Sequence, residues 1–303
     1  MLVKFGIRSF LTIKTITMKI RFLKLFLFIS FFNFISIVSN CAPKIVVTDK
    51  DKVLLQEKFD KFLKDKALST SELVYKIGTD FMGTPYVAST LDKTKEENLV
   101  VNLRELDCTT FVENCIAIAR TIKSGEATFD RFVKELETLR YRNGKLNGYT
   151  SRLHYIAEWM IDNEAKWIVK DVTGPVGGEP YKVNLNFMST HPDSYPQLLG
   201  QPKLVEEINQ IEMTVSEKPF FYIPKEKIAS CEKQIIDGDV VAFVTKIPGM
   251  DVSHVGLLFK KEGRVFLLHA PLSGGMVLTT KVPLAEYLKD SKSTIGIFVI
   301  RAL

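Results

Sequence analysis

One cysteine of this chain stands where a nucleophile could be generated. Cys108 follows Asp107 at the start of an apolar run that continues to Ala119 with the pattern of a helix. A thiol in the first turn of a helix meets unpaired backbone N–H groups and the positive end of the helix dipole, and both favour the thiolate. The position of Cys108 therefore predicts a reactive thiol.

Two histidines lie far downstream in segments with the pattern of β-strands. His254 lies in the segment 251–259 and His269 in the segment 265–270, with a short charged turn between the two segments. This spacing predicts adjacent antiparallel strands that carry both imidazoles on one side of a sheet. A cysteine at a helix start followed by histidines on later strands is the layout expected of a cysteine hydrolase.

The other thiol of the same predicted helix has a simpler interpretation. Cys115 shares one helix face with Phe111, Ile118 and Ile122, which predicts a buried position without chemistry. Seven residues of helix separate it from Cys108, about 10 Å along the axis at about 1.5 Å per residue. That distance is too long for a disulfide.

The positive charge of the chain is concentrated at its start. The chain has a formal net charge of +6, from 41 Lys and Arg against 35 Asp and Glu, and the first 40 residues hold six of the basic side chains and no acidic one. Without those six, the basic side chains number 35 and equal the acidic ones. The remaining sequence therefore offers no electrostatic argument for a nucleic-acid partner.

The basic start is followed by the apolar stretch 22–39. This order predicts a secretory signal over residues 1–40 rather than a membrane span, with Met18 as a second possible start. We expect an exported protein of the periplasm or the envelope. Cys41 follows the signal directly, and two interpretations stay open: an acylated lipoprotein cysteine that anchors the chain to a membrane, or a spare cysteine in a flexible leader.

Helical patterns precede strand patterns along the rest of the chain. Helices are predicted over 51–65, 69–81, 108–123, 129–139 and 151–165, and strands over 239–245, 255–260, 265–270, 276–280 and 295–301. Helices first and strands after them predict an α+β domain with a mostly antiparallel sheet formed as a meander. We assign residues 41–68 to an N-terminal helical extension or linker and 69–303 to one domain, with an insertion around 171–230 where Gly and Pro accumulate.

The order of short motifs resembles that of a known family. The motifs are Gly83-Thr84-Pro85-Tyr86, Leu106-Asp107-Cys108-Thr109-Thr110-Phe111, Asp237-Gly238-Asp239, Ser253-His254-Val255-Gly256 and Leu268-His269-Ala270. Together they resemble the NlpC-type cell-wall hydrolases, a bacterial branch of the papain-like cysteine peptidases. Three further motifs, Arg140-Tyr141-Arg142, Ser151-Arg152-Leu153-His154-Tyr155 and Phe187-Met188-Ser189, resemble a narrower family of N-acetylmuramoyl-L-alanine amidase-like proteins.

The resemblance implies a papain-like fold and a division of labour in the site. Cys108 would attack an amide carbonyl, His254 would move the proton, and His269 would orient and polarise His254. Tyr86 would lie near the thiol as a hydroxyl donor to the oxyanion or the substrate. Asp107 would cap the helix, contact the substrate, or do both.

Further substrate contacts are predicted around these groups. Arg152, His154 and Tyr155 fall on the predicted helix 151–165, where Arg152 could bind a carboxylate of the stem peptide. A structural role for His154 remains the alternative. Ser253, directly before His254, completes the expected contacts.

The resemblance implies hydrolysis of the amide between N-acetylmuramic acid and L-Ala, with peptidoglycan or a muropeptide as partner. Two alternatives stay open: cleavage of the bond between γ-D-Glu and the diamino acid, or an inactive envelope lipoprotein that binds muropeptides. The sequence contains no His-Glu-x-x-His or comparable spacing for a zinc site, so no metal or other cofactor is expected.

Overall fold

The computed structural model describes residues 44–303, so the predictions for the leader and for Cys41 lie outside the described residues. We number the helices α1–α9 in chain order: Asp49–Phe62, Thr70–Asp80, Cys108–Ser124, Phe129–Arg140, Ile156–Ala165, Phe187–Thr190, Pro202–Ser216, Ile228–Cys231 and Leu284–Lys289. The strands β1–β10 are Ile45–Val46, Leu99–Val100, Val169–Asp171, Glu179–Tyr181, Phe220–Pro224, Val240–Thr245, Val252–Lys261, Arg264–His269, Leu278–Thr279 and Thr294–Ala302. The predicted α+β class is confirmed.

Eight strands form one antiparallel sheet in the order β4-β5-β10-β6-β7-β8-β9, with β3 also paired to β10. The five predicted strands correspond to β6–β10. The predicted meander holds only from β6 to β9, because β10 returns to lie between β5 and β6. This return places a buried strand in the centre of the sheet, where six successive residues of β6 are buried as well.

Helix α3 is buried between the sheet and the other N-terminal helices. Asp107 caps its start, and Gly125 ends it in the left-handed conformation at φ 88°, which a residue without a side chain adopts readily. Helix α2 approaches the sheet closely at Gly78, where a Cβ atom would lie 2.6 Å from Leu257 Cδ1. The same Cβ atom would lie 3.3 Å from Phe111 Cζ in the first turn of α3, so α2, the start of α3 and β7 pack closely together.

The segment before residue 69 packs into the same core as α3. Helix α1 buries Leu55, Phe59 and Phe62 there, and Asp51 at its start accepts from the backbone N–H of Leu103 at 2.9 Å. The described residues 44–303 thus belong to one compact unit. None of the helices that the structure describes combines the length and the apolar composition needed to cross a membrane.

The predicted helix over 151–165 is wrong in its first third. Residues 149–151 form a 3₁₀ turn, Arg152 is extended and bridges to Tyr141, and α5 begins only at Ile156. Ser151 therefore does not cap α5. A distant side chain does so instead, because Asp251 accepts from the backbone N–H of Ala157 at 2.7 Å.

The insertion around 171–230 has secondary structure of its own. It adds β4 and β5 to one edge of the sheet and contributes the helices α6, α7 and α8. The carboxylate of Glu212 on α7 accepts from the backbone N–H groups of Met188 and Ser189 on α6 and from the Tyr155 hydroxyl, at 2.6–3.2 Å. These bonds fix α6 beside the start of α5.

Candidate active site

Cys108 is the first residue of α3, as the sequence predicts. The Asp107 carboxylate accepts from the Thr110 backbone N–H at 2.8 Å, and the Thr110 hydroxyl accepts from the Asp107 backbone N–H at 2.9 Å, so the helix start is capped from both sides. The backbone N–H of Val255 on β7 is close enough to the Cys108 sulfur to lower the pKa of the thiol. The thiol therefore lies beside the strand that carries His254.

His254 and His269 are hydrogen bonded to each other, with 2.8 Å between His254 Nε2 and His269 Nδ1. Leu257 pairs with Leu268 in the β7–β8 register, which places His269 opposite Gly256, two residues from His254. Gly256 makes this approach possible, because a Cβ atom there would lie 2.9 Å from His269 Cβ and from the Leu268 carbonyl oxygen.

Both imidazoles are neutral. Burial lowers the pKa of His254 to about 4, and burial together with His254 lowers the pKa of His269 to about 3. One ring nitrogen of the bonded pair therefore donates and the other accepts. Since His254 Nε2 is engaged by His269, Nδ1 is the nitrogen left to face a thiol.

The thiol has a higher pKa than its place in a helix predicts. Burial and the neighbouring Asp107 carboxylate raise the pKa of Cys108 to about 11. The backbone N–H of Val255 lowers this pKa, but its effect is smaller. An isolated thiolate and an isolated imidazolium are thus both unfavourable here. A proton that leaves Cys108 for His254 creates both charges together, so that each stabilises the other.

Tyr86 lies beside this pair. It bridges in parallel to Leu106, and its backbone N–H donates to the Gly275 carbonyl at 2.8 Å. Burial, and then the proximity of Cys108 and Asp107, raise the pKa of Tyr86. Its hydroxyl therefore keeps its proton at neutral pH and can donate a hydrogen bond.

A cavity of about 210 Å³ opens at the thiol, and we call it the nucleophile cavity. Its lining includes Cys108, His154, Tyr155, Ser253 and His254. The structure thus brings together most of the side chains that the sequence proposes for the site.

His154 enters this cavity as a neutral acceptor. Its Nε2 donates to the Tyr149 carbonyl oxygen at 2.9 Å, because a carbonyl can only accept, and Nδ1 then keeps its lone pair. Burial and the adjacent Arg152 lower the pKa of His154 to about 3.

Arg152 is not among the residues that line the nucleophile cavity. Its guanidinium is buried, 2.5 Å from an Asp92 oxygen and 3.6 Å from Glu97. A substrate carboxylate could reach it only by displacing these partners.

Several residues that line the cavity were not predicted from their pattern. Asp251 forms part of the wall, and burial raises the pKa of its carboxyl to about 6 although the N–H groups of Ala157 and Val252 donate to it. Phe187 and Tyr195 come from the insertion. No spacing in the sequence connects these residues to Cys108, since tertiary packing alone brings them near it.

Within residues 44–303, no group of three or more His, Cys, Asp or Glu side chains could hold a metal ion. Cys108, Cys115 and Cys231 carry free thiols, and Cys115 is fully buried in the core.

Residues 76–297 match the family described as N-acetylmuramoyl-L-alanine amidase-like. Among solved structures, an N-acetylmuramoyl-L-alanine amidase from Bacteroides uniformis is 37% identical, with 77% of this chain and 99% of that chain covered and a TM-score of 0.74. A protein from Bacteroides fragilis described as a putative xylanase is 39% identical, with coverages of 75% and 99% and a TM-score of 0.71.

A protein from Legionella pneumophila that belongs to a family of unknown function shares the fold at 19% identity, with coverages of 84% and 95% and a TM-score of 0.63. No curated protein matches the chain.

Proposed function

The chain belongs to the N-acetylmuramoyl-L-alanine amidase-like family. From this membership we propose that it hydrolyses the amide between N-acetylmuramic acid and L-Ala in peptidoglycan, with Cys108 as nucleophile. The observation that carries the proposal is the hydrogen-bonded pair His254–His269 next to the thiol at the start of α3. We further propose that the fold is of the papain-like, NlpC type.

The reaction follows from the protonation states. Cys108 transfers its proton to His254 Nδ1 as the sulfur attacks the carbonyl carbon, and a tetrahedral oxyanion forms. The C–N bond then breaks, and the proton on His254 passes to the leaving nitrogen of L-Ala. Water, activated by the neutral His254, cleaves the thioester and releases the muramic acid carboxylate. His269 stabilises His254 while it is charged.

Two donors are available to the oxyanion. The capping hydrogen bonds at the start of α3 engage the backbone N–H groups of Asp107 and Thr110 and leave that of Cys108 available, and the protonated Tyr86 hydroxyl is close enough to Cys108 for the thiol to raise its pKa. Donors that are already in place stabilise the developing charge without reorganisation, and removal of one typically costs about 10²–10³ in kcat. Tyr86 is thus proposed as the second donor.

Glycoside hydrolysis, which the description of the Bacteroides fragilis relative would suggest, fits the cavity less well. That reaction uses a pair of carboxyl groups on either side of the scissile bond. One carboxylate, Asp251, lines the nucleophile cavity, and both of its oxygens accept from backbone N–H groups.

The test is mass spectrometry of defined muropeptides after incubation with the protein, with Cys108→Ala and Cys115→Ser as variants. Release of the intact stem peptide by the wild type and by Cys115→Ser, but not by Cys108→Ala, is the expected result. Cleavage after γ-D-Glu would identify an endopeptidase instead. Binding without any product would favour a muropeptide-binding protein.

We also propose that residues 1–40 direct export and that Cys41 is acylated. Metabolic labelling with palmitate, compared between the wild type and Cys41→Ser, tests this anchor. Label in both proteins, or in neither, would contradict it.

A further inference from the structure

A second cavity, of about 490 Å³, is also lined by His254, and we call it the outer cavity. Phe243, Leu272 and Tyr287 give it apolar walls, and Ser273 and Ser291 bring hydroxyl groups to it. His254 lines both cavities, whereas Cys108 lines only the nucleophile cavity. His254 therefore stands between two spaces that a substrate could occupy at once.

The proposed chemistry assigns one half of the substrate to each cavity. The acyl half becomes bonded to the Cys108 sulfur, so it must occupy the nucleophile cavity. The leaving amine receives its proton from His254 and needs no contact with the sulfur. The space that shares His254 but not Cys108 is thus the place for the chain attached to the leaving nitrogen.

We propose that the outer cavity binds the leaving stem peptide with its L-Ala end at His254, an inference that rests on the proposed function. The cavity holds more than twice the volume of the nucleophile cavity, which suits a chain of several residues. Leu272 is 75% exposed and Tyr287 42%, so apolar surface is free to cover the L-Ala methyl group and the peptide backbone.

The rim of the outer cavity is basic, which complements the carboxylates of a stem peptide. Lys225 Nζ donates to the carbonyl oxygens of Ser291 at 3.0 Å and Lys289 at 3.3 Å, which holds its ammonium group at this edge. Lys289 and Lys292 are exposed beside it, with Asp290 as the one carboxylate of the segment 289–292. No Asp, Glu, Lys or Arg side chain lines the cavity, and its one imidazole, that of His254, is neutral.

The proposal is tested by titrating the peptide L-Ala-γ-D-Glu-L-Lys into the Cys108→Ala protein, which cannot turn over substrate, in a calorimeter. In a second protein, Leu272→Asp is combined with Cys108→Ala and places a carboxylate on the wall of the outer cavity. We expect this change to weaken peptide binding at least about tenfold, because it repels the peptide carboxylates and removes apolar contact. Leu63→Asp, in an exposed turn of the N-terminal segment, is the matched control and should leave binding unchanged.

Reversal of the rim charge gives a second variant. Lys292→Glu should also weaken binding, and the loss should shrink as salt is raised, because the ammonium group is exposed. Both variants change exposed side chains, so their folding is checked by thermal unfolding beside the control.

Three outcomes would overturn the proposal. Equal affinity of the Leu272→Asp and Leu63→Asp proteins for the peptide would place the peptide elsewhere. Tyr195 lines the nucleophile cavity, so a loss of affinity in Tyr195→Ala but not in Leu272→Asp would place the peptide there. That location is the one expected for an endopeptidase, whose acyl half begins with L-Ala. The absence of binding at millimolar peptide would also overturn it. Failure of the proposed function is separate: wild type would then leave the muramoyl amide intact in the mass-spectrometric assay, whatever the calorimetry shows.

Discussion

Replacement of Gly256 by Ala tests whether His269 positions His254. The added Cβ atom would lie 2.8 Å from Leu267 Cδ1 and 2.9 Å from both His269 Cβ and the Leu268 carbonyl oxygen. A backbone oxygen in a paired strand cannot move away at low cost, so β8 must shift from β7. Overpacking of this kind costs about 1–3 kcal/mol of unfolding free energy, and each kcal/mol lowers Tm by about 2–4 °C in a domain of this size.

The same shift displaces the imidazole of His269 from His254, whose Nε2 it meets at 2.8 Å. A displacement of about 1 Å can cost about 10²-fold in rate. We therefore expect Gly256→Ala to lower kcat by about 10- to 100-fold with KM little changed. Thermal unfolding and muropeptide hydrolysis, measured below the Tm of the variant, give the two quantities.

The matched control is Gly174→Ala. The three heavy atoms nearest to its Cβ atom would all belong to the ring of Phe221, the first at 3.2 Å, and Phe221 is 40% exposed, so its ring can move. We expect kcat and Tm of the control to stay close to wild type.

A double-mutant cycle separates the two effects of Gly256→Ala. In a His269→Ala background, Gly256→Ala should cause little further loss of kcat, because the orienting imidazole is already absent. Full activity of Gly256→Ala, or losses that multiply in the double variant, would refute the reasoning.

Three further predictions concern charge and packing. Burial and Asp107 raise the pKa of Cys108 from 9.0 to about 11, so the thiolate fraction in His254→Ala at pH 7.5 should be about 100-fold below that of an ordinary thiol. We expect slow alkylation by iodoacetamide, made faster by adding Asp107→Asn, and rapid alkylation without His254 would contradict this. Burial raises the pKa of Asp251 to about 6, so the folded state binds this proton more tightly than the unfolded chain. As the pH falls from 7 to 4.5, the unfolding free energy of wild type, measured by urea unfolding, should rise by about 2 kcal/mol relative to that of Asp251→Asn. Parallel pH profiles of the two proteins would contradict this prediction. Arg140 and Glu113 form a buried ion pair, 2.7 Å apart. Glu113→Gln leaves the guanidinium without its carboxylate and should lower the unfolding free energy by about 3–5 kcal/mol, whereas Asp65→Asn, whose partner Lys76 is exposed, should lower it by less than about 1 kcal/mol. Equal losses in the two variants would contradict this.

The chemistry-bearing residues could be located from local signals. Asp107 and Thr110 form a reciprocal cap that depends on four consecutive residues, so the start of α3, and with it the place of Cys108, can be read from the sequence. The same holds for His254 and His269, because a short turn between two apolar runs determines the pairing of β7 with β8. Short-range spacing is sufficient in both cases.

The start of α5 could not be read in this way. The apolar pattern from Ser151 predicts a longer helix, but Arg152 is held extended by buried ion pairs with Asp92 and Glu97, and Asp251 caps the helix at Ala157. These partners lie far away in the sequence. Their attraction, strengthened by burial, outweighs the local helical preference.

The sequence by itself determined the α+β class, the helix that presents Cys108 and the pairing of the two histidines, because each depends on residues that are near one another in the chain. Only the tertiary structure decided which side chains share the cavity with the thiol, where β10 lies in the sheet, and that burial keeps both Cys108 and His254 neutral. The physical reason is that desolvation depends on everything packed around a group, and no local pattern specifies that environment.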